Sequence, residues 1–178
     1  MRRRVGVLFL VVIGVLMLAF LARGFLTKPR EFGEAGALRP KVITTFLPIY
    51  VFAVNVAGEE ADVLNFLPSG VGPHEYSFAP ADLKKIAGAS LVFANGLGLE
   101  NWLTEIVKKS DFQGKIIEVG RGLAPNDADP HVWLDPIRAE EMVKNIAAAY
   151  RAADPAESTS YDQNAAAYIG KLEALHQS

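Results

Sequence analysis

Four short runs rich in β-branched and apolar residues, Lys41–Phe46, Val63–Leu67, Ser90–Ala94 and Lys115–Val119, alternate along the chain with stretches of helical character. That alternation is the pattern of a parallel sheet covered by helices, with each strand reached through a crossover. Punctuation agrees with it. Pro48 suits the first helical position and Gly58 closes a helix carrying Tyr50, Val51, Val54 and Val56, while Pro80–Ala87 reads as a short helix stopped at Gly88. Trp102, Leu103, Ile106 and Val107 mark the helix before the fourth strand. Beyond it, Asp135 and Pro136 form an N-cap and first position for a helix bearing Met142, Ile146 and Tyr150, which ends before Asp154-Pro155. Tyr161, Ala165, Tyr168, Leu172 and Leu175 then recur at helical spacing. The expected fold class is α/β: a single lobe with a four-stranded, mostly parallel sheet flanked by helices.

A different kind of segment precedes this lobe. Met1 and three arginines lead into an apolar run from Val5 to Ala22. Its positive flank and its length, close to the ~18 apolar residues that suggest a span, fit either a signal peptide or a membrane anchor over residues 1–26. Phe20-Leu21-Ala22-Arg23 is a poor small-x-small cleavage site, which favours an uncleaved anchor, and the arginines place the remainder outside the cytoplasm. Residues 27–40 carry proline, glycine and charge without a clear period and read as a tether. Residues 1–26 hold four of the 18 basic residues and none of the 20 acidic ones, so the rest of the chain has a formal charge of −6. Such a balance argues against nucleic acid as a partner. With no cysteine in the sequence, a metal would have to be held by nitrogen and oxygen.

Two histidines follow prolines in short turns, Gly72-Pro73-His74-Glu75-Tyr76 and Asp129-Pro130-His131-Val132-Trp133-Leu134-Asp135-Pro136. Proline fixes its own φ and biases the residue before it toward extended geometry, so each turn can aim its imidazole. Both turns lie beyond the carboxyl end of a predicted strand, where ligands collect in open α/β sheets. His74 and His131 are therefore the candidate metal ligands, with Trp133 and Leu134 expected to pack their turn inward. Gly96-Leu97-Gly98 imitates part of a dinucleotide fingerprint, with Glu118 about twenty residues on. Asn101 stands where the third glycine belongs, so the segment reads instead as a tight turn.

Thr44-Thr45-Phe46, Pro73-His74-Glu75-Tyr76, the string from Leu91 to Glu100 and the string from Asp129 to Pro136, in this order, resemble the zinc/manganese substrate-binding proteins of ABC transporters, some of them called adhesins. The resemblance runs from Lys41 to Ser178. It implies two α/β lobes facing across a cleft and joined by a long helix, with His74 and His131 as the two ligands of the N-terminal lobe. Zn2+ or Mn2+ would be the transported ligand, a membrane permease the partner and the extracytoplasmic space the location. On that pattern residues 41–155 are the metal-binding lobe and 156–178 the start of the inter-lobe helix, while the second lobe and its further ligands are absent from this chain. Glu75 and Tyr76 would either support the ligands from behind or line the rim, and His176 would be an exposed helix residue.

The resemblance implies capture without covalent chemistry, hence no enzyme. Ligand histidines must be deprotonated, so affinity is expected to fall below about pH 6.5. The histidine-rich insertion of many zinc-specific members is missing, as is the cysteine that carries lipid in many others. Manganese is thus as plausible as zinc. Two readings from other classes remain open. A metal-dependent hydrolase could hold catalytic zinc on His74 and His131 with Asp127 or Asp129 nearby, although the sequence has neither an H-E-x-x-H helix nor an obvious general base. An orphan lobe could instead serve as an adhesion or interaction module.

Overall fold

The computed structural model of the protein describes residues 39–124 and 129–178. The apolar segment at 5–22, most of the tether and Asp127 lie outside these residues. Among the described residues no helix is long and apolar enough to cross a membrane.

The elements run β1 (Lys41–Thr44), α1 (Leu47–Ala57), β2 (Asp62–Asn65), α2 (Pro80–Ala87), β3 (Leu91–Ala94), α3 (Asn101–Lys109), β4 (Lys115–Glu118), α4 (Pro136–Ala153) and α5 (Ser158–His176). All four strands are parallel, in the order β2-β1-β3-β4. Val42 stands opposite both Val63 and Leu91, and Leu91 opposite Lys115. Central position explains composition here. Val42, Ile43, Leu91, Val92 and Phe93 are all buried, as expected of strands covered on both faces. Edge strand β4 exposes Lys115, Ile116 and Glu118, and charge at an edge discourages pairing with another chain.

The ladder continues past the strand ends. The amide of Thr45 donates to Phe93 O (3.0 Å), that of Phe66 to Thr44 O (2.8 Å) and that of Gly120 to Asn95 O (2.9 Å). From β1 the chain moves outward to β2, and from β3 outward to β4, so the strand order reverses between β1 and β3. A crevice outside the carboxyl ends at such a point is where α/β sheets bind ligands. The described parts of the loops after the two edge strands, 66–79, 119–124 and 129–135, flank it.

Helix ends follow the sequence. Gly58 adopts φ +58°, a left-handed turn that glycine takes without steric cost, and its N–H donates to Val54 O at 3.1 Å. Asp135 caps α4 by accepting the Ile137 amide at 3.0 Å. On α4, Met142, Ile146 and Tyr150 are fully buried, and α1, α4 and α5 pack against one another. Tyr161, Ala165 and Leu172 supply the buried stripe of α5 as expected, but Leu175 is 61% exposed and lies outside it. His176 is exposed.

One local expectation is corrected. Val132–Leu134 forms a single 3-10 turn, and with three residues per turn only one of them can face the core. That residue is Val132, 1% exposed, whereas Leu134 points outward at 72%. Trp133 lies between these extremes and packs edge-on against Phe46, ring centroids 4.8 Å apart.

Candidate metal centre

His74 and His131, 57 residues apart in sequence, meet over the crevice with their Nε2 atoms 3.2 Å apart. One arrives from the β2 edge and the other from the β4 edge. His131 is set by its neighbour Asp129, whose Oδ1 accepts both the His131 backbone N–H (3.0 Å) and the ring Nδ1–H (2.7 Å). These two donors hold the Asp129 carboxyl below its ordinary range, the backbone bond contributing most. A carboxylate facing Nδ1 requires the proton there, so the lone pair of His131 is on Nε2 and points at His74. The ring of Trp133 lies alongside, its centroid 5.1 Å from that of His131.

The His74 loop is tied down on both sides of the histidine. Trp102 donates its indole N–H to Pro73 O at 2.8 Å while its ring stacks on Phe66. Tyr76 packs edge-on against both aromatic rings and donates its hydroxyl to Asp82 at 2.8 Å, away from the histidines. Burial and the Asp82 carboxylate push the Tyr76 phenol up to about 12. Burial would also raise Asp82, but donors from Lys85, the Ala79 amide and Tyr76 outweigh it and leave the carboxyl below its usual value. Tyr76 thus braces the loop from behind, the first of its two expected roles.

Beneath the histidines lies the turn between β3 and α3. Gly96, Leu97 and Gly98 take φ values of +78°, +58° and +74°, three consecutive left-handed residues. At Gly96 a Cβ would also come within 2.9 Å of Glu118 Cβ. Here the glycines make a turn that a side chain would disrupt, which answers the dinucleotide resemblance of the sequence. What holds the turn is Glu100, 7% exposed. Its carboxylate accepts the amides of Asn95 (2.9 Å) and Gly96 (3.1 Å) and the Thr45 hydroxyl (2.7 Å). Burial pushes this carboxyl above its ordinary range against those three donors.

Among the described residues no group of three or more histidine, cysteine, aspartate or glutamate side chains is placed to hold a metal ion. The pair of imidazoles with its supporting carboxylate is what the lobe presents. Sequence reasoning placed both histidines on one rim, where they meet, but missed the contacts of Asp129, Asn95, Glu100 and Trp102. Only Asp129 carried a local signal, because a carboxylate two residues before a histidine can reach both its amide and its ring.

Outer-shell partners of a metal-bound histidine typically govern 10–100-fold in affinity. Asp129 is 72% exposed, so water can partly replace it, and its removal belongs at the low end of that range. Asp129→Ala should weaken zinc binding about 10-fold, with Asp129→Asn in between because an amide oxygen still accepts. Competition titration with a chromogenic chelator measures this. An unchanged affinity in Asp129→Ala would mean that the carboxylate does not orient the ring.

Comparisons with known proteins agree with this architecture. The chain is 31% identical over 176 residues to the metal ABC transporter substrate-binding lipoprotein ScbA of Streptococcus cristatus, covering 90% of this chain and 57% of that one. It is 35% identical over 153 residues to the manganese ABC transporter substrate-binding lipoprotein PsaA of Streptococcus pneumoniae, covering 77% and 49%. In structure it superposes on the Zn(II)-bound ZnuA-like domain of Streptococcus pneumoniae AdcA with a TM-score of 0.71 and 33% identity, over 79% of this chain and 54% of that one. The chain thus spans about half the length of the curated relatives it matches. Residues 42–178 match the model of the periplasmic component A of zinc-uptake complexes, ZnuA, and it is to this family that the chain belongs.

Proposed function

We propose that this chain captures a divalent zinc or manganese ion through His74 and His131 as cargo for an ABC transporter. In this reading residues 41–155 are the metal-binding lobe of an extracytoplasmic substrate-binding protein and 156–178 begin the helix toward a second lobe. Residues 1–26 export or anchor the chain, 27–40 tether it, and a membrane permease receives the ion. The observation that carries the proposal is the 3.2 Å separation of the two Nε2 atoms. An ion at zinc–nitrogen distances of about 2.0–2.1 Å from both would subtend an angle of roughly 100°, near the tetrahedral value. Relatives named for manganese and zinc support the same range of cargo.

The chemistry asked of the residues is holding and release, with no bond made or broken in the cargo. Asp129 keeps the His131 proton on Nδ1, and His74 must carry its own proton on Nδ1 for both Nε2 lone pairs to face the ion. Zinc takes four ligands, so the two remaining positions are left for water or for residues beyond those described. Isothermal titration of the chain with Zn2+ and Mn2+ tests the reading. Since outer-shell changes already cost 10–100-fold, replacing either histidine by alanine should lower affinity on the order of 100-fold or more. Equal affinity of the wild type and the His74→Ala, His131→Ala double variant would sink it.

A further inference from the structure

The peptide carbonyl immediately before each histidine accepts a side-chain N–H, and both donors come from one segment of the chain. Trp102 Nε1 donates to Pro73 O at 2.8 Å, and Asn95 Nδ2 donates to Pro130 O at 2.9 Å. Proline has no N–H, so in each Pro-His turn the prolyl carbonyl is the main-chain group by which the residue ahead of the histidine can be held.

Asn95 is itself immobilised. It is fully buried, its amide is bound by Glu100, its carbonyl accepts the Gly120 N–H, and Nδ2 also donates to Gly96 O at 3.1 Å. Its Oδ1, however, is buried and has no hydrogen-bond partner among the described residues. A buried amide with its acceptor unmet is unfavourable for stability, and an apolar side chain of similar shape would avoid that penalty. The value of the asparagine therefore lies in what Nδ2 holds.

We propose that Asn95 is a positioning residue for the metal site: by fixing Pro130 O it fixes His131 at its distance from His74, which Trp102 holds from the other side. The β3–α3 segment from Asn95 to Trp102 then sets the bite of the two imidazoles. This rests on the reading of His74 and His131 as ligands.

Asn95→Leu keeps the approximate shape and removes the donor. In the 178-residue chain, kept in mild detergent, titration with Co2+ followed by its visible absorption should give about 10-fold weaker binding than wild type, the low end of outer-shell effects. In a His74→Ala or a His131→Ala background the same substitution should produce no further loss, read at millimolar Co2+ by imidazole chemical shifts, because one ligand has no bite to set. General loosening of the lobe would instead weaken binding in every background. Wild-type affinity in Asn95→Leu, or an equal loss in the single-histidine backgrounds, overturns the proposal. If far-UV circular dichroism shows Asn95→Leu unfolded, Asn95→Ser takes its place under the same criteria. A wild type that needs both histidines but is indifferent to Asn95 rejects this inference alone; one that binds equally without either histidine rejects the ligand assignment, and this inference with it.

Discussion

Glu100→Ala is expected to remove at least about 3 kcal/mol of folding stability, because it leaves three buried donors without an acceptor and each such group costs ~1–3 kcal/mol. The donors are the amides of Asn95 and Gly96 and the hydroxyl of Thr45. Two of them lie in or beside the left-handed turn, and the third belongs to the end of β1, so the loss removes one tie between the carboxyl ends of the two central strands as well as relaxing the turn. Against a typical stability of about 5–15 kcal/mol such a loss is a large fraction. Glu100→Gln should cost less, about 1–2 kcal/mol, since one oxygen still accepts.

The pH dependence separates these variants further. Burial raises the folded-state pKa of Glu100 above its unfolded value, so between the two values the folded chain binds more protons than the unfolded one. This group's contribution therefore favours folding below its unfolded pKa and declines as pH rises through the folded pKa. Glu100→Gln removes that decline. Guanidinium unfolding across the mildly acidic range measures both effects. A loss under 1 kcal/mol in Glu100→Ala would show that water enters and satisfies the donors.

Tyr150→Ala carries the second large effect, about 3–5 kcal/mol, the range for deleting a buried aromatic side chain. Tyr150 joins three elements. Its ring stacks on Tyr161 of α5 with centroids 4.9 Å apart, meets Phe93 of β3 edge-on at 5.2 Å, and its hydroxyl donates to Ala53 O of α1 at 3.3 Å. Each aromatic pair adds ~0.5–1.5 kcal/mol beyond burial. Apart from its buried stripe of Tyr161, Ala165 and Leu172 and the contact of Tyr168 with Phe52, α5 is tied to the lobe by polar contacts: Asn164 to Val56 O at 3.1 Å, Tyr161 to Glu60 O at 3.3 Å, and the Arg151–Asp162 ion pair. Amide exchange in α5 should accordingly accelerate more than exchange in β1 and β3. Tyr150→Phe should cost no more than about 1 kcal/mol, the net worth of one hydrogen bond. Uniform acceleration across the sheet and α5 would mean that the helix does not come away as a separate unit.

The strand and helix order was legible because the strands are short and strongly patterned and because proline or glycine marks the ends of α1, α2 and α4. That the histidines share a rim was legible too, since in a parallel sheet every strand's carboxyl end faces the same way. Less visible were the groups whose partners lie far off in sequence. Glu100 reads as an ordinary acid at the start of a helix, yet the Thr45 hydroxyl it binds is 55 residues away. Trp102 reads as core, which it is, but its indole N–H reaches back 29 residues to Pro73. Leu134 was misjudged for a local reason: its hydrophobicity said inward, and the geometry of a 3-10 turn had already given that direction to Val132.

The two imidazoles come from loops leaving the outermost strands, β2 and β4, with β1 and β3 between them. An ion gripped by both would act as a strut across the full width of the sheet, adding a direct tie between its two margins. Capture and resistance to heat then become one property, because a ligand that binds only the folded form stabilises it by RT ln(1 + [L]/Kd). A loaded lobe would then be a sturdier one than an empty lobe.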